Sequence, residues 1–195
     1  MTQKNVHYFM KSLITINVII IVAANFLTPL WAAFVHKIGG DLRTAGNALL
    51  VFGIVIGVLT CIAGKIENYL NRDKWFLVIT QAMFVAGYIF YFWIQHPWQL
   101  YLAETWLGVA GAFQSPAICS LYQQFMPAGQ RTAAWGVWNG FYNIGLGVGA
   151  FISAYVAHAY GFNGVFTVVS LIAFVGLLIA IYVAKKIPDS FVEAA

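Results

Sequence analysis

The sequence is poor in charge. Asp and Glu number 6 and Lys and Arg 10, together 8% of 195 residues. A soluble globular domain carries about 25% charged residues, so a water-covered fold is excluded. Cysteine is scarce as well. Cys61 and Cys119 lie inside apolar runs with no C-x-x-C, and they read as small buried hydrophobes. No basic run is long enough to track a nucleic acid, so that partner is excluded. Enzyme signatures are missing too: no G-x-S-x-G, no H-E-x-x-H, no Walker loop. No catalytic residue is assigned on this basis. His36, His96 and His158 fall at segment ends with a spacing that fits no metal motif, so neither metal nor cofactor is expected. A cleavable leader is not expected either. The first apolar run is too long for a signal peptide and lacks a small-residue cleavage site after it.

What is abundant is apolar surface: 62% hydrophobic and 17% aromatic residues, with a mean hydropathy of +0.81. A bilayer span needs about 20 apolar residues, and the chain has length for roughly six. Apolar segments run near 12–35, 46–63, 75–95, 98–126, 133–157 and 164–184, separated by short stretches with turn or charge chemistry. Backbone groups in lipid must bond within their own segment, and no barrel-like alternation is present, so the spans are helices. The expected fold is an all-α integral membrane protein, multi-pass, with residues 1–195 forming one six-helix transmembrane domain.

Charge placement orients it. Lys4, Lys11, Lys65, Arg72, Lys74, Arg131, Lys185 and Lys186 fall on one side, whereas the other side holds only Lys37 and Arg43. The excess places both termini in the cytoplasm and suits a plasma (inner) membrane. The two halves also echo each other. Pro29 lies deep in segment 1 and Pro116 at the matching depth of segment 4, an offset of about 87 residues. Segment 2 carries Gly53-x3-Gly57, and segment 5 carries Gly145-x3-Gly149. Because three helices is an odd number, the second triplet must run inverted. The chain is therefore expected to hold two inverted three-helix repeats, near 12–95 and 98–184.

Glu104 is the one ionisable residue deep within an expected span, about 9 Å along the axis from Trp98. A carboxylate there is costly, so it should face a wet cavity as a proton or cation site. Gly108, Gly111 and Ser115 share its helical face. Asn17, Ala24 and Thr28 form a stripe on segment 1 with Asn25 beside it, segment 4 adds Gln114, and segment 5 brings Asn139, Tyr142 and Asn143. For any one of these amides or hydroxyls, helix-to-helix bonding is an equal explanation, at about 0.6 kcal/mol on average. As a cluster they fit a cavity lining. No Lys or Arg lies within a span, which favours neutral or cationic solutes over phosphorylated ones. The glycine pairs permit close helix approach, within the bundle or across a subunit interface.

At the second loop the chain resembles the major facilitator superfamily of secondary transporters. That family's loop reads G-x-x-x-D-R-x-G-R-R/K. Here Gly64 and Arg72 match, Asn68 stands at the Asp position, and Glu67 supplies a charge one residue early. Asn71 stands for the glycine, and Asn tolerates the left-handed turn expected there. Segment 4 resembles the family's Arg-led glycine-rich helix, with Glu104 in place of the Arg, and segment 5 lacks the antiporter Gly-Pro. The resemblance implies twelve helices in two six-helix halves, of which this chain supplies one. It implies a half-size transporter of a small solute, a homodimer with two Glu104 carboxylates facing one cavity, and coupling to H+ or another cation. A pairing with a different six-helix chain, a piece of a longer chain, or a non-transporting scaffold are the competing expectations.

Overall fold

In a computed structural model, residues 3–70, 72–126 and 129–187 are described, and among them every regular element is helical. The order is α1 (Gln3–Ala24), a 3₁₀ turn (Thr28–Leu30), α2 (Trp31–Lys37), α3 (Leu42–Leu70), α4 (Asp73–Phe90), a 3₁₀ turn (Tyr91–Trp93), α5 (Pro97–Gln124) and α6 (Arg131–Lys186). Four stretches are both long and apolar enough to cross a bilayer: Tyr8–Lys37, Leu42–Leu70, Asp73–Trp93 and Arg131–Lys186. The fifth long helix, α5, has the length at 28 residues, but Glu104, Gln114 and its terminal glutamines dilute its hydropathy.

Two local breaks shape the bundle. The first apolar segment reads as one helix but stops at Ala24 and resumes at Trp31. Pro29 has no N–H to give, and its ring would collide with the Asn25 carbonyl in a continuous helix. That carbonyl accepts the Thr28 N–H at 3.3 Å instead. Pro116, its counterpart by sequence offset, leaves α5 continuous. The second break lies inside α6. At about 1.5 Å per residue its 56 residues would extend about 84 Å, far beyond a bilayer core of about 30 Å. Gly161 interrupts it with φ 65° and ψ −166°, a conformation that glycine adopts without a Cβ penalty. At the α2–α3 connection, Asp41 caps α3: its Oδ1 accepts the Thr44 N–H at 2.8 Å and the Thr44 hydroxyl at 2.9 Å. The backbone bond first, and the hydroxyl bond second, hold this carboxyl below its ordinary range.

Packing follows small residues. α5 packs against α3 and α4, while α6 packs against α1 and α4. A Cβ on Gly108 of α5 would lie 3.0 Å from a Val55 methyl of α3. A Cβ on Gly149 of α6 would lie 2.6 Å from the Val22 carbonyl oxygen of α1, so the two backbones touch there. α1 and α5 run antiparallel, because Phe9 near the start of one stacks on Phe125 just past the end of the other, centroids 5.2 Å apart. Apolar side chains gather at the two ends of the bundle. One cluster includes Phe26, Phe34, Tyr91 and Phe166 at the end bearing the α2–α3 connection. The other includes Leu13, Leu121, Tyr122 and Trp138 at the end bearing the terminal segments. The cavity described next lies along the helices that join them.

Candidate functional site

The cavity measures about 620 Å³ and is lined by α1, α3, α4, α5 and α6. Glu104 sits on its wall, 5% exposed. The 3₁₀ turn that ends α4 turns Tyr91 inward, and the Tyr91 hydroxyl donates to Glu104 Oε1. Tyr88, one helical turn earlier, also lines the cavity. The broken stretch of the first segment adds Asn25 and Thr28. Asn25 Nδ2 donates back to the Ile21 carbonyl at 2.9 Å, and the Thr28 hydroxyl donates to Asn25 Oδ1 at 3.4 Å.

Further along α5, Gln114 is 4% exposed and donates through Nε2 to Gln81 Oε1 at 2.9 Å. Gln81 in turn donates to the Ala173 carbonyl of α6 at 3.1 Å. This buried relay ties α5, α4 and α6 together beside the cavity. Ser115 and Tyr142 line the cavity as well, as does Trp138, whose ring lies 4.5 Å from that of Tyr122. Asn17 of α1 is also a lining residue. It is 6% exposed, and its Nδ2 has no hydrogen-bond partner. Neither Lys, Arg nor His is among the lining residues, so Glu104 is the one group there able to carry a full charge near neutral pH.

Seven of the polar residues grouped from sequence thus share one cavity: Glu104, Asn17, Asn25, Thr28, Gln114, Ser115 and Tyr142. Asn139 and Asn143 do not line it. They are exposed on α6, with Asn143 Nδ2 donating to the Asn139 carbonyl at 2.7 Å. Sequence reasoning missed Gln81, Tyr88 and Tyr91. Their spacing along α4 and into the 3₁₀ turn that follows it is a usable signal, masked by the apolar run that surrounds them. Trp106 is turned away from the cavity and bonds the Met83 carbonyl at 2.8 Å.

The glycine pairs divide. Gly145 and Gly149 are buried against α1, whereas a Cβ on Gly53 or Gly57 would meet nothing within 4 Å. In the loop motif, Glu67 is 3% exposed and its Oε1 is unpartnered, while Asn68 and Arg72 are exposed and Gly64 is half-buried. Asn71 lies outside the described residues. Asp73 pairs with Ser120 of α5, and Lys74 Nζ donates to the Ile187 carbonyl at 2.9 Å, so the start of α4 is anchored at both flanks. Among the described residues no cluster of three or more His, Cys, Asp or Glu is placed to hold a metal ion.

Comparison with known proteins adds a family. A sequence model of the Major Facilitator Superfamily matches residues 13–194. An uncharacterised MFS-type transporter of Methanocaldococcus jannaschii is 25% identical over 174 residues, covering 84% of this chain and 42% of the relative. The multidrug resistance protein MdtG of Salmonella typhimurium is 28% identical over 163 residues, covering 80% of this chain and 40% of the relative. The MdtG of Enterobacter lignolyticus is 28% identical over 167 residues, covering 83% and 39%. The chain thus spans about two fifths of the length of these relatives.

Proposed function

This chain belongs to the major facilitator superfamily, and we propose that it is one six-helix half of a secondary active transporter, moving a small solute by alternating access. The observation that carries this reading is the cavity itself. A lone buried carboxylate, amides and hydroxyls converge on one space inside a bundle whose outer surface is apolar. Ionisable groups at membrane depth are retained for ion or substrate handling far more often than for stability. The unwound stretch at Asn25–Thr28 supports the same reading, because discontinuous helices in transporters lie at the binding site.

Six spans are favoured over four. The Gly161 break makes two rods of α6, and α5 is bilayer-length though more polar. An offset of about 87 residues carries α1 onto α5 and α3 onto the first rod of α6. It thereby exchanges the α3–α5 packing with the α6–α1 packing, as inverted repeats over roughly 12–95 and 98–184 require. The excess of Lys and Arg on one side places both termini in the cytoplasm.

The second half is supplied by a second copy. α3 is the least covered of the four apolar stretches, 6% buried in its most apolar window, and Gly53 and Gly57 leave open space on it. A two-fold pair would use this face twice and set two Glu104 carboxylates toward one cavity. Glu104 then exchanges a proton or cation as the cavity changes sides, and Gly64, Glu67, Asn68 and Arg72 form the loop that responds. The coverage of two fifths of the relatives' length favours one alternative, in which a different six-helix unit completes the transporter. Native mass spectrometry in nanodiscs separates these: twice 21.5 kDa from one chain type supports the homodimer, and a second polypeptide the alternative. Proteoliposomes under an imposed pH gradient test the transport step. Uptake that Glu104→Gln abolishes is expected, and undiminished coupling in that variant removes the assignment of Glu104. A membrane scaffold would show no flux in any of these conditions.

A further inference from the structure

We propose that an outward-facing groove between α1 and the first rod of α6 holds one anionic glycerophospholipid, its phosphate at Lys11 and an acyl chain on Ile14, Val18, Val137 and Phe141. The groove measures about 690 Å³ and shares no lining residue with the cavity that holds Glu104. On α1, Lys11, Ile14, Thr15 and Val18 recur at i, i+3, i+4 and i+7, one face of the helix. Asn17, Ile20, Ile21 and Ala24 of the cavity wall repeat that pattern six residues on, about 120° round the axis. α6 crosses α1 between the two faces, with Gly145 against Val18 and Gly149 against Val22. The groove therefore opens away from the cavity, onto the apolar outer surface, where Val137 and Phe141 are exposed. The site stands independently of transport.

Polarity grades along the groove. α1 and the first rod of α6 both start at the end of the bundle bearing the terminal segments, and Lys11 and Gln130 lie toward that end. Two hydroxyls of the wall are already engaged on backbone: Thr15 on the Lys11 carbonyl at 2.9 Å and Tyr122 on the Ala134 carbonyl at 2.8 Å. Past Thr15 the lining is apolar. Its floor on α1 runs from Met10 to Ile19, about 14 Å at about 1.5 Å per residue. One leaflet contributes about 15 Å to a hydrocarbon core of about 30 Å, so the groove has the length and the gradient of a single lipid chain. A void along a lipid-facing wall forfeits dispersion contacts, and a chain laid in it recovers them.

Charge selects the headgroup. Lys11 lies within the span Tyr8–Lys37, and no Asp or Glu is among the described residues that line the groove with it. Lys186 brings a second cation to the same side. Its Nζ stands 5.3 Å from the centre of the Tyr8 ring, and Tyr8 precedes Lys11 by one helical turn. Arg131 follows Gln130 at the rim. A phosphodiester at this depth meets basic groups alone, whereas a zwitterionic headgroup also carries its own ammonium toward them.

The test is native mass spectrometry of the full chain in micelles of a neutral detergent, titrated with dioleoylphosphatidylglycerol or dioleoylphosphatidylcholine. The two lipids share their chains and phosphate and differ in the ammonium. Wild type should bind its first phosphatidylglycerol about 10-fold more tightly than its first phosphatidylcholine. Lys11→Gln should narrow that difference about 5-fold, whereas Lys65→Gln, a change on the same Lys-rich side but on α3, should leave it intact. Ala133→Trp fills the groove and should weaken both lipids at least about 10-fold. Equal binding of the two lipids by wild type overturns the inference without recourse to any variant. So does an equal loss in Lys65→Gln and Lys11→Gln, the mark of diffuse attraction to a basic surface. A second protein chain is the other candidate occupant. A doubled mass from which phosphatidylglycerol is excluded overturns the lipid site, and a doubled mass in which each chain retains one lipid supports it.

Discussion

The Tyr91 hydroxyl donates to the Glu104 carboxylate across the junction of α4 and α5, with both side chains almost fully withdrawn from solvent. The bond depends on the 3₁₀ turn Tyr91–Trp93, which tightens the end of α4 and turns the ring toward α5. Glu104 is thereby fixed in one orientation on the cavity wall rather than left to swing toward the headgroups. Tyr91→Phe keeps the ring packing against Phe34 and Phe166 and removes only the donor. A hydrogen bond to a charged group contributes about 1.5–3 kcal/mol, and a loss of that size is expected in equilibrium unfolding. In the Glu104→Gln background the same change should cost about 1 kcal/mol or less, a coupling that a double-mutant cycle reads directly.

Gly149 and Gly53 carry opposite expectations. Gly149→Ala pushes a methyl toward the Val22 carbonyl oxygen, and backbone cannot yield as a side-chain tip can. Overpacking of this kind costs about 1–3 kcal/mol, so a lower unfolding midpoint in detergent is expected. Gly53→Ala enters open space and should be near neutral or stabilising in the single chain. If the α3 face is the subunit interface, Gly53→Leu shifts native mass spectra toward the single chain while Gly147→Leu, also in open space, does not.

The Gln114–Gln81–Ala173 relay should behave as a unit. Gln81→Leu strands the buried Gln114 amide, at about 1–3 kcal/mol, and takes from the Ala173 carbonyl a second donor beyond its helical one. Adding Gln114→Leu to Gln81→Leu should restore part of that loss, since no half-satisfied amide then remains. Strict additivity of the two single changes in chemical unfolding would show that the residues act separately.

Asp41 sets a pH expectation at the start of α3. Its carboxyl is held below the ordinary range by the Thr44 N–H, so the folded form binds its proton less readily than the unfolded chain does. The capping contribution is therefore fully present above the unfolded carboxyl pKa of about 3.9, and it is lost as pH falls through the lower folded value. Hydrogen exchange at the Thr44 amide should show constant protection from pH 5 to pH 7, after correction for intrinsic rates. Asp41→Asn should remove the acid-side loss, because an amide cap does not titrate there. Acid-side loss that persists in Asp41→Asn would point to another group.

The sequence by itself determined that this chain is helical, membrane-embedded and a member of its family. Those properties are additive along the chain: an apolar run of bilayer length, a missing charge or a Gly-Pro absence can be counted without knowing what lies opposite. It also located Glu104, because one carboxylate in an apolar helix is costly wherever the helix faces. It did not decide which polar residues meet. Helical periodicity gives the spacing of a stripe but leaves its rotation about the axis open, and rotation is set by contacts between helices such as Gly149 on Val22. That is why Asn139 and Asn143, grouped with the cavity by type, sit on an exposed face of α6, while Tyr91, an unremarked aromatic, pairs with Glu104. The two prolines make the same point, because they lie at matching depths in the sequence, yet the helix breaks at Pro29 and runs on through Pro116. Only tertiary packing left the Asn17 amide buried and unpaired, because pairing is a property of two residues and no single position in a sequence carries it.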